Sequence, residues 1–136
     1  MKTKMIVIIA IVLCCSCTNK TAIENGELQE AISQMWLDAG AAQRMLEGID
    51  INNLSEYELQ RYRLAKAHLM LKRELRLPEG SDMEALANYF ESCGDVASAS
   101  EAYYIQGAYL NYIGENTQAM QHLKKAESYP ATSIIR

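Results

Sequence analysis

The most reactive side chains in this sequence belong to its four cysteines and two histidines. They are Cys14, Cys15, Cys17, Cys93, His68 and His122. A thiolate or an imidazole can bind zinc, and a thiol can also form a disulfide or accept an acyl chain. Three of the cysteines lie together near the start of the chain, so the first question is what that segment is.

The cysteine cluster directly follows a basic start and an apolar run. Lys2 and Lys4 come first, and residues 5–13 are all apolar. The run is far shorter than the about 20 apolar residues that cross a bilayer. It has the size of the apolar centre of a signal peptide. The segment is therefore interpreted as a targeting sequence and not as a membrane span.

The order of these residues resembles a bacterial lipoprotein signal, in which a small residue precedes a cysteine that becomes acylated. Ser16-Cys17 matches that arrangement, and Cys14 and Cys15 fit it less well. The resemblance implies a cleaved signal peptide over residues 1–16 and a lipid on Cys17. Residues 17–26 then form a polar tether. The alternatives are an ordinary secretory signal or a chance group of cysteines.

Cleavage before Cys17 changes both the cysteine count and the charge. Cys93 would be the one cysteine in the folded part, which leaves no partner for a disulfide and no Cys pair with zinc-ligand spacing. Loss of Lys2 and Lys4 leaves 11 of the 13 basic residues against 17 acidic ones, a net charge of −6. An acidic domain lacks the basic surface that nucleic acid requires. No metal, cofactor or nucleic-acid partner is predicted.

Residues 100–130 have the pattern of two amphipathic helices joined by a tight turn. Each helix repeats small or apolar residues one turn apart, and Gly114 lies between the two helices. The facing residues are Tyr103, Gly107 and Leu110, followed by Ala119, Leu123 and Ala126. Because Gly107 and Ala119 have almost no side chain, the two backbones can approach closely. This pattern predicts an αα-hairpin.

This order of aromatic, Gly, large apolar, Gly turn, Ala, large apolar and Ala resembles a tetratricopeptide repeat. Ala85 precedes Ala119, and Tyr89 precedes Leu123, by the about 34 residues of that repeat. The resemblance implies an all-α fold, a short right-handed solenoid of antiparallel helix pairs with about six helices. The alternative is an ordinary helical hairpin with chance spacing.

Residues 27–130 are expected to form this helical domain, and residues 131–136 a tail that starts a further helix. The predicted helix starts are capped by Asp38, Ser55 with Glu58, Ser81 with Glu84, and Asp95. Trp36 lies at helical spacing from Ile32 and is expected in the core, although a Trp that stacks on a ligand is the alternative. The basic residues of 56–74 are spread around the helix and are expected to be solvated.

The tetratricopeptide resemblance also implies a binding surface on the first helix of the last pair. The matching positions are Glu101, Tyr104, Ala108, Asn111 and Tyr112. Aromatic side chains supply large contact area at low entropic cost, so recognition by stacking and amide contacts is expected. The alternative is that the two tyrosines only pack on a neighbouring helix. No Gly-rich phosphate loop or nucleophile motif is present, so no catalytic residues are predicted.

The chain also resembles the helical-repeat regions of Bacteroidetes lipoproteins and membrane sensor proteins. The leading hypothesis is a non-catalytic scaffold, anchored through its lipid to the periplasmic face of the outer membrane, that binds a protein or peptide. The alternatives are an accessory solute-binding lipoprotein for nutrient uptake and a truncated sensor-region fragment. Apolar residues around Ile113, Met120 and Ile134-Ile135 are expected to favour self-association of the C-terminal hairpin.

The lipid assignment gives a direct test. We expect Cys17→Ala to release the protein from the membrane fraction, because the acylated thiol is removed. Processing of the wild type should be blocked by globomycin. Cys15→Ala serves as the matched control and should fractionate as the wild type does. If Cys17→Ala is still processed and still sediments with membranes, the lipoprotein assignment is wrong.

Overall fold

The computed structural model describes residues 21–130, and the chain is all-helical over this range, as the sequence predicts. The six helices are α1 (Gly26–Gln34), α2 (Ala39–Glu47), α3 (Glu56–Glu74), α4 (Met83–Ser92), α5 (Val96–Tyr112) and α6 (Asn116–Glu127), with a 3₁₀ turn at Ile51–Asn53. The predicted signal peptide, Cys17 and the 131–136 tail lie outside the described residues. Within 21–130, no helix combines the length and apolarity of a membrane span.

Side-chain caps fix where most of these helices begin. Asp38, Ser55 and Asp95 each accept a hydrogen bond from the backbone N–H three residues ahead, as predicted. The predicted Ser81 box is wrong. Asp82 is the cap, and its carboxylate accepts the Ala85 N–H at 2.9 Å. An Asp caps as well as a Ser does, so the helix begins one residue later.

The turns after α4 and α5 use glycine in the left-handed conformation. Gly94 has φ +76° and Gly114 has φ +87°. After α5 the Glu115 N–H reaches back to the Leu110 carbonyl at 2.9 Å, which satisfies a carbonyl that the helix end would leave open. Both helix ends lie where the sequence predicts them.

Helix α3 lies at the centre of the fold and is buried on two sides. Leu64 and Ala67 belong to a core shared with α4 and α5, which we call the C-terminal core. Ala65 and Leu69 belong to a core shared with α1 and α2, the N-terminal core. Helix α3 is in contact with α1, α2, α4 and α5. The two helical subassemblies therefore depend on one helix.

The hairpin of α5 and α6 is closely packed at Gly107, as its sequence predicts. A Cβ atom at this position would come within 2.8 Å of the Leu123 Cγ and 3.2 Å of the Ala119 carbonyl oxygen. Real Cβ atoms essentially never approach another atom as closely as 2.8 Å. Glycine at 107 is thus required by the distance between the two helices.

Trp36 is not in the core, and this prediction is wrong. Its side chain is 64% exposed, whereas the neighbouring Met35 is 3% exposed. Helix α1 ends at Gln34, so Trp36 lies in the turn before Asp38 and the helical spacing from Ile32 no longer applies there. Met35 fills the N-terminal core in its place.

Glu58 fastens the segment before α1 to the start of α3. One carboxylate oxygen accepts the Ser55 N–H at 2.9 Å, which completes the predicted capping box. The other oxygen accepts the backbone N–H groups of Glu24 at 3.1 Å and Asn25 at 2.7 Å. Glu58 is 5% exposed, and these bonds, the Ser55 bond foremost, hold the pKa of its carboxyl below its usual value against the opposing effect of burial.

The packing at Gly107 gives a stability prediction. We expect Gly107→Leu to lower the free energy of unfolding by about 1–3 kcal/mol through overpacking. Urea denaturation of the full chain in detergent, followed by circular dichroism, measures this. Gly26→Ala is the control, because a Cβ there meets nothing within 4 Å. An unchanged midpoint for Gly107→Leu would contradict the packing described above.

The buried Glu58 gives a pH prediction. Because its pKa is lower in the folded state, its contribution to stability is complete above the unfolded value of about 4.3 and is lost as pH falls through the folded pKa. Glu58→Gln should destabilise the protein at pH 7 by about 1–3 kcal/mol, because an amide cannot replace both acceptor oxygens. The variant should also lose less stability than the wild type on acidification below pH 4.

The control for Glu58→Gln is Glu56→Gln, at an exposed acid of the same helix start. Its helix-dipole contribution is similar, but it does not bind the segment before α1. Melting curves at pH 7, 5 and 3 compare the two variants. Equal effects of the two substitutions would mean that Glu58 acts only as a helix-start charge.

Candidate functional site

A cavity of about 720 Å³ opens between the end of α1 and helices α3, α5 and α6. We call it the interhelical groove. The polar and aromatic residues in its walls include Trp36, Arg61, His68, Asp95, Glu101, Tyr104 and Glu127. Apolar side chains of the two cores form its floor, among them Leu64 and Ala126 of the C-terminal core and Met35 of the N-terminal core. An apolar floor with a few polar groups at its rim is typical of binding sites.

One side of the groove is a continuous row of three side chains. The Trp36 ring packs edge-on against the His68 ring, with centroids 5.1 Å apart and an interplanar angle of 87°. The His68 Nδ1–H donates to the Glu101 Oε1 at 2.7 Å. The row joins the end of α1, the middle of α3 and the first half of α5, so it holds Trp36 in place.

A second polar network lies deeper, where α3 meets the start of α5. Asp95 accepts hydrogen bonds from the Tyr57 hydroxyl at 2.7 Å and from the Ser98 hydroxyl at 2.6 Å. Arg61 donates to the same Ser98 oxygen, and its Nε is buried without a hydrogen-bond partner in the described part of the chain. Burial, together with the bond to the Asp95 carboxylate, raises the pKa of Tyr57 well above its usual value.

This network corrects the prediction that the basic residues of α3 are all solvated. Arg61 is partly buried and points into the groove. The reason is its position between Leu64 and Tyr57, on the side of α3 that faces α5. Arg63, by contrast, is exposed and donates to Gln60 on the same helix at 3.3 Å.

The charge of the groove is negative on balance. Its walls contain the carboxylates of Asp95, Glu101 and Glu127 and the single guanidinium of Arg61. Asp95 is occupied by Tyr57 and Ser98, and one oxygen of Glu101 by His68. Glu127 takes part in no ion pair among residues 21–130. The Glu127 carboxylate and the second oxygen of Glu101 therefore remain available at the rim.

Of the five predicted binding residues, two lie in the groove and three lie outside it. Glu101 and the 52% exposed Tyr104 lie in the walls of the groove, one turn apart on α5. Ala108, Asn111 and Tyr112 lie farther along α5 and are not among the residues that line it. Tyr112 is 57% exposed at the helix end, so it does not pack on a neighbouring helix.

Sequence reasoning missed most of the groove. Trp36 was expected in the core, and His68, Arg61 and Glu127 were not singled out for binding. Local sequence patterns do not reveal them, because the His68–Glu101 contact joins residues 33 apart and the Arg61–Ser98 contact joins residues 37 apart.

The other reactive side chains lie outside the groove. Cys93 is a free, half-buried thiol at the end of α4, and His122 bonds through Nδ1 to the Gln118 carbonyl at 2.9 Å on the surface of α6. Over residues 21–130, no three His, Cys, Asp or Glu side chains are grouped so that they could hold a metal ion. Of the C-terminal apolar residues, Ile113 is 49% and Met120 54% exposed.

The chain was compared with protein families, with curated proteins and with solved structures. No family model matches it, and no curated protein or solved structure is significantly similar to it.

Proposed function

We propose that this protein is a non-catalytic, lipid-anchored helical scaffold that binds a protein or peptide segment in the interhelical groove. The observation that carries the proposal is the exposure of two large aromatic rings on one apolar cavity. Trp36 is 64% and Tyr104 52% exposed, and both line the groove. Tryptophan and tyrosine dominate binding energy at protein interfaces when they become buried by a partner.

The proposal includes a repeat architecture of the tetratricopeptide type. Contacts between successive odd-numbered helices recur at similar separations along the chain. Glu58 binds Glu24, just before α1, across a separation of 34 residues. The His68–Glu101 bond spans 33 residues, and the Tyr57–Asp95 bond spans 38 residues. In a right-handed solenoid the first helices of successive pairs lie side by side and line one concave surface. The groove is then part of that surface, with residues of α6 at its edge.

The lipid anchor would keep this surface close to a membrane. Between Cys17 and Glu24, whose amide is bound by Glu58, the chain can extend by at most about 25 Å. The proposed location is the periplasmic face of the outer membrane. A scaffold held this way meets partners that lie at the same membrane, which raises their effective concentration.

The dimensions of the groove favour a second candidate, an accessory solute-binding lipoprotein. Its volume of about 720 Å³ lies within the range of pockets that enclose small ligands. A planar ring such as that of Trp36 can also stack on a small solute. The two candidates differ in one respect, since a small solute would occupy the groove alone, whereas a peptide would extend beyond it.

Tyr104 tests the proposed site, with Tyr112 as its matched control. Both are exposed tyrosines of α5, but only Tyr104 lines the groove. We expect Tyr104→Ala to reduce partner recovery about tenfold or more in a quantitative pull-down with the full chain, as truncation of an interface anchor does. Tyr112→Ala should stay within about twofold of the wild type.

The double variant, Tyr104→Ala with Tyr112→Ala, should behave as Tyr104→Ala alone does. Melting temperatures establish that each variant is folded. If the folded double variant retains its partners, the groove is not the binding surface. If only small solutes, and no peptide or protein, raise the melting temperature of the wild type, the solute-binding candidate replaces the scaffold.

A further inference from the structure

We propose that the interhelical groove selects a segment that carries a cationic side chain, a lysine or an arginine, beside an apolar one. This inference rests on the proposed function, because it names the chemistry of the partner that would occupy the same groove. It is carried by three groups on the rim: the carboxylates of Glu101 and Glu127 and the ring of Tyr104.

The two carboxylates come from neighbouring helices that are joined at this point. The Ser100 hydroxyl donates to the Ala126 carbonyl at 3.0 Å, which fixes the start of α5 against the end of α6. Glu101 follows Ser100 on α5, Glu127 follows Ala126 on α6, and both line the groove. A cation between them would be attracted from two walls.

The Tyr104 ring adds a second attraction for a cation. Tyr104 follows Glu101 by three residues on α5, so the two side chains are neighbours on the helix surface. An aromatic face beside a carboxylate suits an ammonium or guanidinium group, and the ring also packs on the aliphatic stem of Lys or Arg. An acidic side chain in the same place would meet two like charges.

The chain's own cations near this site are held elsewhere. Arg61 is fixed deep in the groove by Ser98. Lys125 of α6 lies over the rings of Tyr103 and Tyr129, 5.8 Å from each centroid, and also forms an ion pair with Glu91 at 3.7 Å. Neither is paired with Glu101 or Glu127. One oxygen of Glu101 is bound by His68, which leaves its second oxygen and the Glu127 carboxylate for a cation from a partner.

Trp36 allows the test to be read at the site itself, because it is the single tryptophan of the sequence and lines the groove. Full-length protein in detergent is titrated with four pools of blocked, tryptophan-free hexapeptides. Each pool has Lys, Arg, Gln or Glu fixed at a central position and is random elsewhere. Quenching or shift of the Trp36 emission reports binding.

We expect the Lys and Arg pools to bind about tenfold more tightly than the Glu pool and several-fold more tightly than the Gln pool, a difference that should shrink as salt screens it. Glu101→Gln with Glu127→Gln should bring the Lys pool to within about twofold of the Gln pool. Glu84→Gln with Glu115→Gln makes the same charge change at exposed acids outside the groove and should leave the preference intact.

The remaining outcomes separate this inference from the function on which it rests. Equal binding of all four pools, or preference for the Glu pool, overturns the cationic preference and leaves the peptide-binding groove standing. Lysine amide binding as tightly as the Lys pool replaces the peptide with a small cationic solute. If no pool alters the Trp36 emission, the inference is wrong. If Tyr104→Ala in addition retains its partners, the groove itself is not the site.

Discussion

Helix α3 must bury apolar surface on two opposite sides, and the rest of the fold depends on this requirement. Leu64 and Ala67 belong to the C-terminal core, and Ala65 and Leu69 belong to the N-terminal core. Polar side chains of α3 that lie beside the two cores are bonded to other segments of the chain. His68 bonds to α5 and Glu58 to the segment before α1. The polar contacts of the groove follow from the position of α3.

The local features of this fold could be predicted from sequence, because their causes lie within a few residues. A cap such as Ser55 needs only the amide three residues ahead, and Gly107 was identified by its spacing from Ala119. Trp36 was assigned to the core because its spacing from Ile32 continued a helix that in fact ends at Gln34. Where periodic spacing crosses a helix end, it no longer tells which residues are buried.

The groove could be predicted only in part, because its walls come from four separate segments. Glu101 and Tyr104 were singled out through the resemblance to a tetratricopeptide repeat, which placed the expected binding positions on α5 alone. Arg61 and Glu127 lie far apart in the sequence, and the contacts that bring their helices together are set by the packing of α3, α5 and α6. The same long-range packing exposes Trp36 on an apolar cavity. Such exposure has a cost in water, which a bound partner would offset.

The bonds from the backbone of Glu24 and Asn25 to Glu58 make the segment before α1 depend on a residue that is synthesised later. Helices α1 and α2 are synthesised before the residues that complete their core, since Glu58, Ala65 and Leu69 all follow α2 in the sequence. Until α3 emerges, that pair exposes Leu28, Leu46 and Met35 to solvent or to a chaperone. The N-terminal pair is therefore synthesised before the helix that completes its core, and its apolar residues are open to aggregation until α3 is made.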